Sequence, residues 1–93
     1  MQEELVTIKT LKMLQEKGFN EYHYPTQSVA QKWLREVKSL HVEVRYMYGD
    51  YWIYDILTIP RHDLVGLSDR PLEHYKSYEE ALEAGIREAL KLI

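Results

Sequence analysis

One change of pattern constrains the fold of this chain more than any other feature. Before residue 40 apolar side chains recur at helical spacing, whereas over residues 40–48 they alternate with other side chains, as in a half-buried strand. Gly49-Asp50 is a hairpin turn signal, because glycine adopts the positive φ angles that such turns need. A second strand covers residues 51–59 and stops at Pro60, and β-branched and aromatic residues dominate both strands. The sequence therefore predicts an antiparallel hairpin.

The register of this hairpin has two alternatives. A two-residue turn places Asp55 on the same face as Val44 and buries a carboxylate in the core. A loop one residue longer, with a bulge at Gly49, turns Asp55 outward. That longer loop brings two sets of side chains together on the core face: Trp52, Tyr54 and Ile56 beside Val42, Val44 and Tyr46. We prefer it, because an unpaired buried carboxylate costs several kcal/mol or is neutralised.

Three helices flank the hairpin, and each begins at a recognisable cap. They cover about residues 8–17, 27–38 and 78–92. Thr7, Thr26 and Ser77 precede them and can accept a bond from a free amide of the first turn. Ser77 and Glu80 also form the Ser-x-x-Glu pattern of a capping box. Gly18 follows the first helix, in the left-handed position that favours glycine.

The apolar stripes of the helices and strands predict one shared core. We expect six helix residues in it: Trp33, Leu34, Val37, Leu82, Ile86 and Leu90. Gly85 lies in the middle of the third helix, where glycine costs about 1 kcal/mol relative to alanine. The expected reason is the close approach of another backbone.

The length and the order of the elements predict the fold class. A chain of 93 residues fits a single domain, 1–93. The segment 61–76 is the least readable; Leu64–Leu67 is a candidate third strand, and Ser68-Asp69-Arg70-Pro71 reads as a turn. The order α-α-β-β-(β)-α predicts a two-layer α+β domain, with helices packed on one face of a small antiparallel sheet.

Three stretches of the sequence also carry a resemblance. They are ELVT at 4–7 leading to EKGF at 16–19, PTQSVAQKWLREV at 25–37, and SYEEALEAGI at 77–86 with LKLI at 90–93. Together they resemble a group of short uncharacterised proteins of Bacteroides-type gut bacteria and their phages or prophages. The resemblance covers about half of the chain, mainly the helices. It implies an α+β domain in a phage-related context, and it implies no activity and no site residues.

The residues offer no motif for catalysis, a metal or a cofactor. There is no cysteine, which excludes disulfides, thiol catalysis and thiolate metal sites. The four histidines are scattered, without the spacing of paired metal ligands, and they are His23, His41, His62 and His74. No serine lies in a Gly-x-Ser-x-Gly elbow, and the isolated glycines form no phosphate-binding loop. We predict no catalytic, cofactor-binding or metal-binding residue, and hence a protein that is not an enzyme.

The unusual feature is the aromatic content of the hairpin, since the chain has eight tyrosines and two tryptophans. The predicted interaction surface is Tyr46, Tyr48, Tyr51, Trp52, Tyr54 and Arg45. If these rings occupy the open second face of the sheet, association is the direct way to cover them. The leading hypothesis is a small interaction module that forms a homodimer through the hairpin and has a further, unidentified protein partner.

The alternative is a single-stranded nucleic-acid binder that stacks bases on the same rings. Nearby cations would contact the phosphates: Arg45, Arg61, Lys32, Arg35 and Lys38. The formal net charge of −3 favours the protein partner. No apolar run approaches the roughly 20 residues of a membrane-spanning helix, and residues 1–5 do not resemble a signal peptide. The sequence thus predicts a cytoplasmic protein without a membrane partner.

Overall fold

A computed structural model describes residues 4–21, 23–68 and 74–93. Within them the chain forms three helices and three strands in the expected order, which confirms the α+β class and the third strand. The helices are α1 (Ile8–Glu16), α2 (Gln27–Val37) and α3 (Tyr78–Lys91), and the strands are β1 (Leu40–Met47), β2 (Tyr51–Thr58) and β3 (Leu64–Leu67). Residues 69–71 of the predicted turn at 68–71 lie outside the described residues, and so does Tyr22.

The helix starts follow the predicted caps. The hydroxyl oxygens of Thr7, Thr26 and Ser77 each accept a hydrogen bond from the backbone N–H three residues further on, at 3.1–3.2 Å. The capping box differs in one bond, because the carboxylate of Glu80 accepts from the N–H of Lys76 at 3.1 Å rather than from Ser77. The cap side chains therefore define where all three helices begin.

The sheet is antiparallel in the order β1-β2-β3. Val44 lies opposite Tyr54 and Tyr46 opposite Trp52, and a three-residue loop, 48–50, joins Met47 to Tyr51. This is the register of the longer loop, which is confirmed.

The second face of the sheet is covered along β2, contrary to expectation. In a strand alternate side chains point to opposite faces, so Ile53, Asp55 and Leu57 face away from Tyr54 and the helices. They are only 1%, 5% and 9% exposed. Asp55 thus leaves the helix side as predicted, but it does not reach solvent.

The core lies between the sheet and the helices, and α2 enters it differently from the prediction. Leu34, Leu82, Ile86 and Leu90 are buried as expected. Val37 is 57% exposed, and Trp33 is partly buried at the edge of the core. The apolar residues of α2 therefore do not share one buried face. Ala30 and Leu34 point inward, whereas Val29, Trp33 and Val37 lie on the outer side of the helix.

Gly85 marks the closest contact between α3 and the sheet. A Cβ added there would lie 2.6 Å from Val42 Cγ1 and 3.1 Å from Tyr54 Cβ. The close neighbours are side chains of β1 and β2 rather than the backbone that the sequence suggested. The glycine lets α3 lie against the two strands at a distance that a methyl group would prevent.

Candidate functional site

The aromatic residues of the hairpin occupy four different positions once the register is known. Tyr46 and Trp52 extend from the helix side of the sheet, next to the turn. Tyr48 lies in the turn itself, whereas Tyr51 faces the opposite side of the sheet. Tyr54 is 5% exposed and belongs to the core, so it cannot contribute to an exposed surface.

The rings nearest the turn pack against one another outside the core. The ring centroids of Tyr46 and Trp52 are 4.9 Å apart. Trp52 also meets Tyr78, the first residue of α3, edge to face at 5.7 Å. Contacts of this geometry are favourable beyond the area that they bury. We call Tyr46, Tyr48, Trp52 and Tyr78 the hairpin-tip surface.

Backbone contacts hold this surface in place. Trp52 exchanges two backbone hydrogen bonds with Tyr75, at 2.8 and 3.0 Å, just before α3 begins. In the turn, Gly49 and Asp50 both have positive φ angles, of 107° and 63°. The hairpin tip is thus tied to the start of α3.

The exposed edge of the surface is formed by Tyr46 and Tyr48, which are 57% and 102% exposed. The hydroxyl of Tyr46 donates to Asp50 Oδ1 at 2.8 Å. That hydrogen bond, a partial loss of hydration and the negative charge of Asp50 raise the pKa of Tyr46. Tyr46 therefore stays a neutral hydrogen-bond donor at physiological pH.

The other two predicted site residues lie away from this surface. Tyr51 stacks on His74, with ring centroids 3.9 Å apart and an interplanar angle of 14°. Arg45 faces the same side as Asp55, and its Nη2 lies 2.7 Å from Asp55 Oδ2. The six residues of the predicted interaction surface therefore do not all lie on one face of the sheet. Two of its rings, those of Tyr46 and Trp52, pack together, and Trp52 also contacts Tyr78. Tyr48 extends into solvent from the adjacent turn.

Sequence reasoning identified Tyr78 only as the first residue of a helix. Its contact with Trp52 depends on the angle at which α3 meets the hairpin, and no spacing in the sequence encodes that angle. It also missed the outer side of α2, where Val29 and Val37 are 42% and 57% exposed, and Tyr24 in the segment before α2, which is 43% exposed. The apolar residues of α2 are visible in the sequence, but their spacing does not show which of them face the core.

The hairpin tip offers aromatic contact area, part of which is exposed to solvent. Rings supply contact area at a small entropic cost, and Asp50 is engaged by Tyr46. Across the described ranges, 4–21, 23–68 and 74–93, no cluster of three or more His, Asp or Glu side chains is arranged to bind a metal. In the same ranges no helix is long and apolar enough to cross a membrane.

No protein-family model, no curated protein and no solved structure matches the chain. The resemblance to short proteins of gut bacteria and phages therefore stays a prediction.

Proposed function

We propose that this chain is a small interaction module without catalytic activity, and that it associates with a second copy of itself through the hairpin-tip surface. A further protein partner would compete with the second copy for the same rings. The observation that carries the proposal is the pair Tyr46 and Trp52, whose rings pack at a tilt outside the core and are followed by the fully exposed Tyr48 in the turn.

Exposed rings that are already ordered support such a contact. Tyrosine and tryptophan are enriched in the centres of interfaces. Because Tyr46 is fixed by Trp52 and Asp50, little side-chain entropy is lost when a partner covers it. The surface also lies at the end of an edge strand, β1, where association can protect open backbone groups.

Charge favours protein over nucleic acid at this surface. The nearest predicted cation, Arg45, faces the other side of the sheet and pairs with Asp55. The carboxylate of Asp50 instead lies beside Tyr46, where it would repel a phosphate backbone. Single-stranded nucleic acid is therefore the alternative outcome of the test rather than a second proposal.

The test is molar mass by light scattering over a range of concentrations, at low and high salt. We expect an assembly of at least two copies that withstands salt. In Tyr46→Ala/Tyr48→Ala the hairpin contact should weaken about tenfold or more, because both rings are interface anchors. Ile8→Ala is the matched control, since Ile8 is a 67% exposed apolar residue on α1. It should leave the mass unchanged.

Two outcomes would overturn the proposal. One is a wild-type mass that the Tyr46→Ala/Tyr48→Ala change does not lower. The other is oligonucleotide binding that weakens steeply with salt, as counterion release requires, and that disappears in the same variant.

A further inference from the structure

The outer side of α2 carries a second exposed apolar surface, which shares no residue with the hairpin-tip surface. Val29, Trp33 and Val37 follow one another at intervals of four residues, and such a row forms a ridge along a helix. With Tyr24 and Pro25 they line a groove of about 500 Å³. We call Val29, Trp33 and Val37 the α2 ridge.

The α2 ridge is rigid as well as exposed. Trp33 rests edge to face on Phe19, with ring centroids 5.6 Å apart, and Phe19 is buried. Across the groove the hydroxyl of Tyr24 donates to the carbonyl oxygen of Val6 at 2.7 Å. A partner would therefore meet a preformed surface.

One flank of the α2 ridge is charged in an ordered way. Lys32 and Glu36 are both exposed and both line the groove. Each immediately precedes a ridge residue, so the two charges lie on the same side of the ridge, one turn apart. Neither forms an ion pair with another described residue.

We propose that the α2 ridge docks against the same ridge of a second copy of this chain, antiparallel and across a two-fold axis near Trp33. This contact is independent of the hairpin-tip surface. In such a pair Val29 lies opposite Val37 of the second copy, and the two Trp33 rings meet at the centre. A two-fold contact is self-complementary by construction.

Charge complementarity selects this occupant. In an antiparallel pair related by a two-fold axis, the flank that carries Lys32 and Glu36 in one copy lies beside the same flank of the second copy. Side chains lean toward the N-terminus of their own helix, which brings Lys32 toward Glu36 of the second copy and moves the two lysines apart. Each dimer would therefore hold two identical Lys32–Glu36 pairs.

Two independent two-fold contacts have a consequence for the assembly. Copies joined alternately by hairpin tips and by α2 ridges form tetramers or longer chains. Removing either contact alone should leave dimers, and removing both should leave monomers. The failure of one proposal is thereby distinguishable from the failure of the other.

The experiment is a charge exchange, measured as molar mass in the Tyr46→Ala/Tyr48→Ala background. Lys32→Glu alone places glutamate opposite glutamate, and Glu36→Lys alone places lysine opposite lysine. Each should weaken the dimer at least about tenfold, because like charges face each other at a contact. The double variant Lys32→Glu/Glu36→Lys should recover the dimer.

The decisive sample is an equimolar mixture of the two single variants. Each alone is monomeric, but a mixed pair has both charge pairs complementary and should dimerise. Lys12 and Glu16 provide the control, since they have the same spacing on the exposed side of α1. Exchanging them should leave the mass unchanged. A monomeric background, single variants that stay dimeric, or a mixture that stays monomeric would each overturn the α2 contact.

Discussion

Two regions of the molecule each bury a carboxylate: the junction of the three helices, and the face of the sheet away from the helices. The two carboxylates differ in their hydrogen-bond partners. Glu83, on α3, is 7% exposed, and Asp55, on β2, is 5% exposed. Burial alone would make them equally costly, because either charge leaves water. What differs is the number of donors that replace the water.

Glu83 is surrounded by donors from the other two helices. Its Oε2 accepts from the N–H of Thr7 at 3.0 Å, from the Thr7 hydroxyl at 3.1 Å and from the Thr10 hydroxyl. Its Oε1 accepts from Gln27 Nε2 at 2.9 Å, and the same amide donates to the carbonyl of Glu79 at 2.8 Å. One side chain thus links α1, α2 and α3.

Asp55 lies on the side of the sheet away from the helices, and it has a single side-chain partner among the described residues. Its Oδ2 pairs with Arg45 at 2.7 Å, but its Oδ1 has no hydrogen-bond partner among the described residues. Glu43 lies directly opposite on β1, and like charges in that relation are unfavourable. A buried carboxylate with several donors, such as Glu83, can therefore link secondary-structure elements. One with few donors, such as Asp55, contributes little to stability.

The largest expected effect comes from removing the charge at the helix junction. Glu83→Gln replaces acceptors by an amide whose NH₂ group faces donors, so several buried donors lose their partner. We expect the free energy of unfolding to fall by about 2–4 kcal/mol, measured by urea denaturation at pH 7. Glu79→Gln, on the same helix with an exposed side chain, should change it by about 0.5 kcal/mol or less.

A loss at Glu83 no greater than that at Glu79 would contradict the linking role. An m-value that falls together with the midpoint would point to a looser native state instead.

The pH dependence of this difference is the next largest effect. Burial raises the pKa of Glu83, but the bonds from Gln27, Thr10 and Thr7 together outweigh it, so its pKa lies below the ordinary value. The folded state then favours the ionised form. The resulting stability is complete above the unfolded pKa, about 4.3, and is lost as the pH falls through the lower folded pKa.

The measurement is the difference in unfolding free energy between wild type and Glu83→Gln at pH 7, 5, 4 and 3. We expect the full difference at pH 7 and a smaller one at pH 3. At pH 3 the carboxyl of the wild-type protein is increasingly protonated, so its charge no longer distinguishes it from the neutral amide of the variant. A difference that is constant, or that grows on acidification, would show that the charge is not what the donors stabilise.

Sequence patterns predicted the side of the sheet on which Asp55 lies but not its burial, and they missed the role of Glu83. Asp55 lies in a strand with strict alternation, so its side of the sheet follows from the register. Glu83 lies beside Leu82 in a helix that turns about 100° per residue. Its surroundings depend on how α1 and α2 reach across α3, over 76 and 56 residues of chain.

The same contrast explains the rest of the fold and the site. Caps such as Thr26 and the hairpin register are local, and they were predictable because a few neighbouring residues determine them. The exposure of Val37 and the contact of Tyr78 with Trp52 depend on how helices pack, and no local pattern carries that information. The alternation of side chains correctly predicts Tyr54 beside Val44. It does not predict which face of the sheet is buried, because that depends on the elements that pack against it.

The smallest expected effect is at Asp55, where the comparison predicts near neutrality. Asp55→Leu removes a carboxylate with one unsatisfied oxygen and places an apolar side chain between Ile53 and Leu57. Arg45 keeps much of its hydration, because its side chain is 52% exposed. We expect the free energy of unfolding to change by about 1 kcal/mol or less, since buried ion pairs are often replaceable by apolar groups.

Arg45→Met is the matched change, and the order of the two is the test. It leaves the buried carboxylate of Asp55 without its cation, so it should cost about 2–3 kcal/mol, less than breaking a fully buried pair because Arg45 is half exposed. If Asp55→Leu proves the more damaging of the two in urea denaturation, Asp55 holds the far face of the sheet together as Glu83 holds the helices. The distinction between joining and tolerated carboxylates would then fail for this protein.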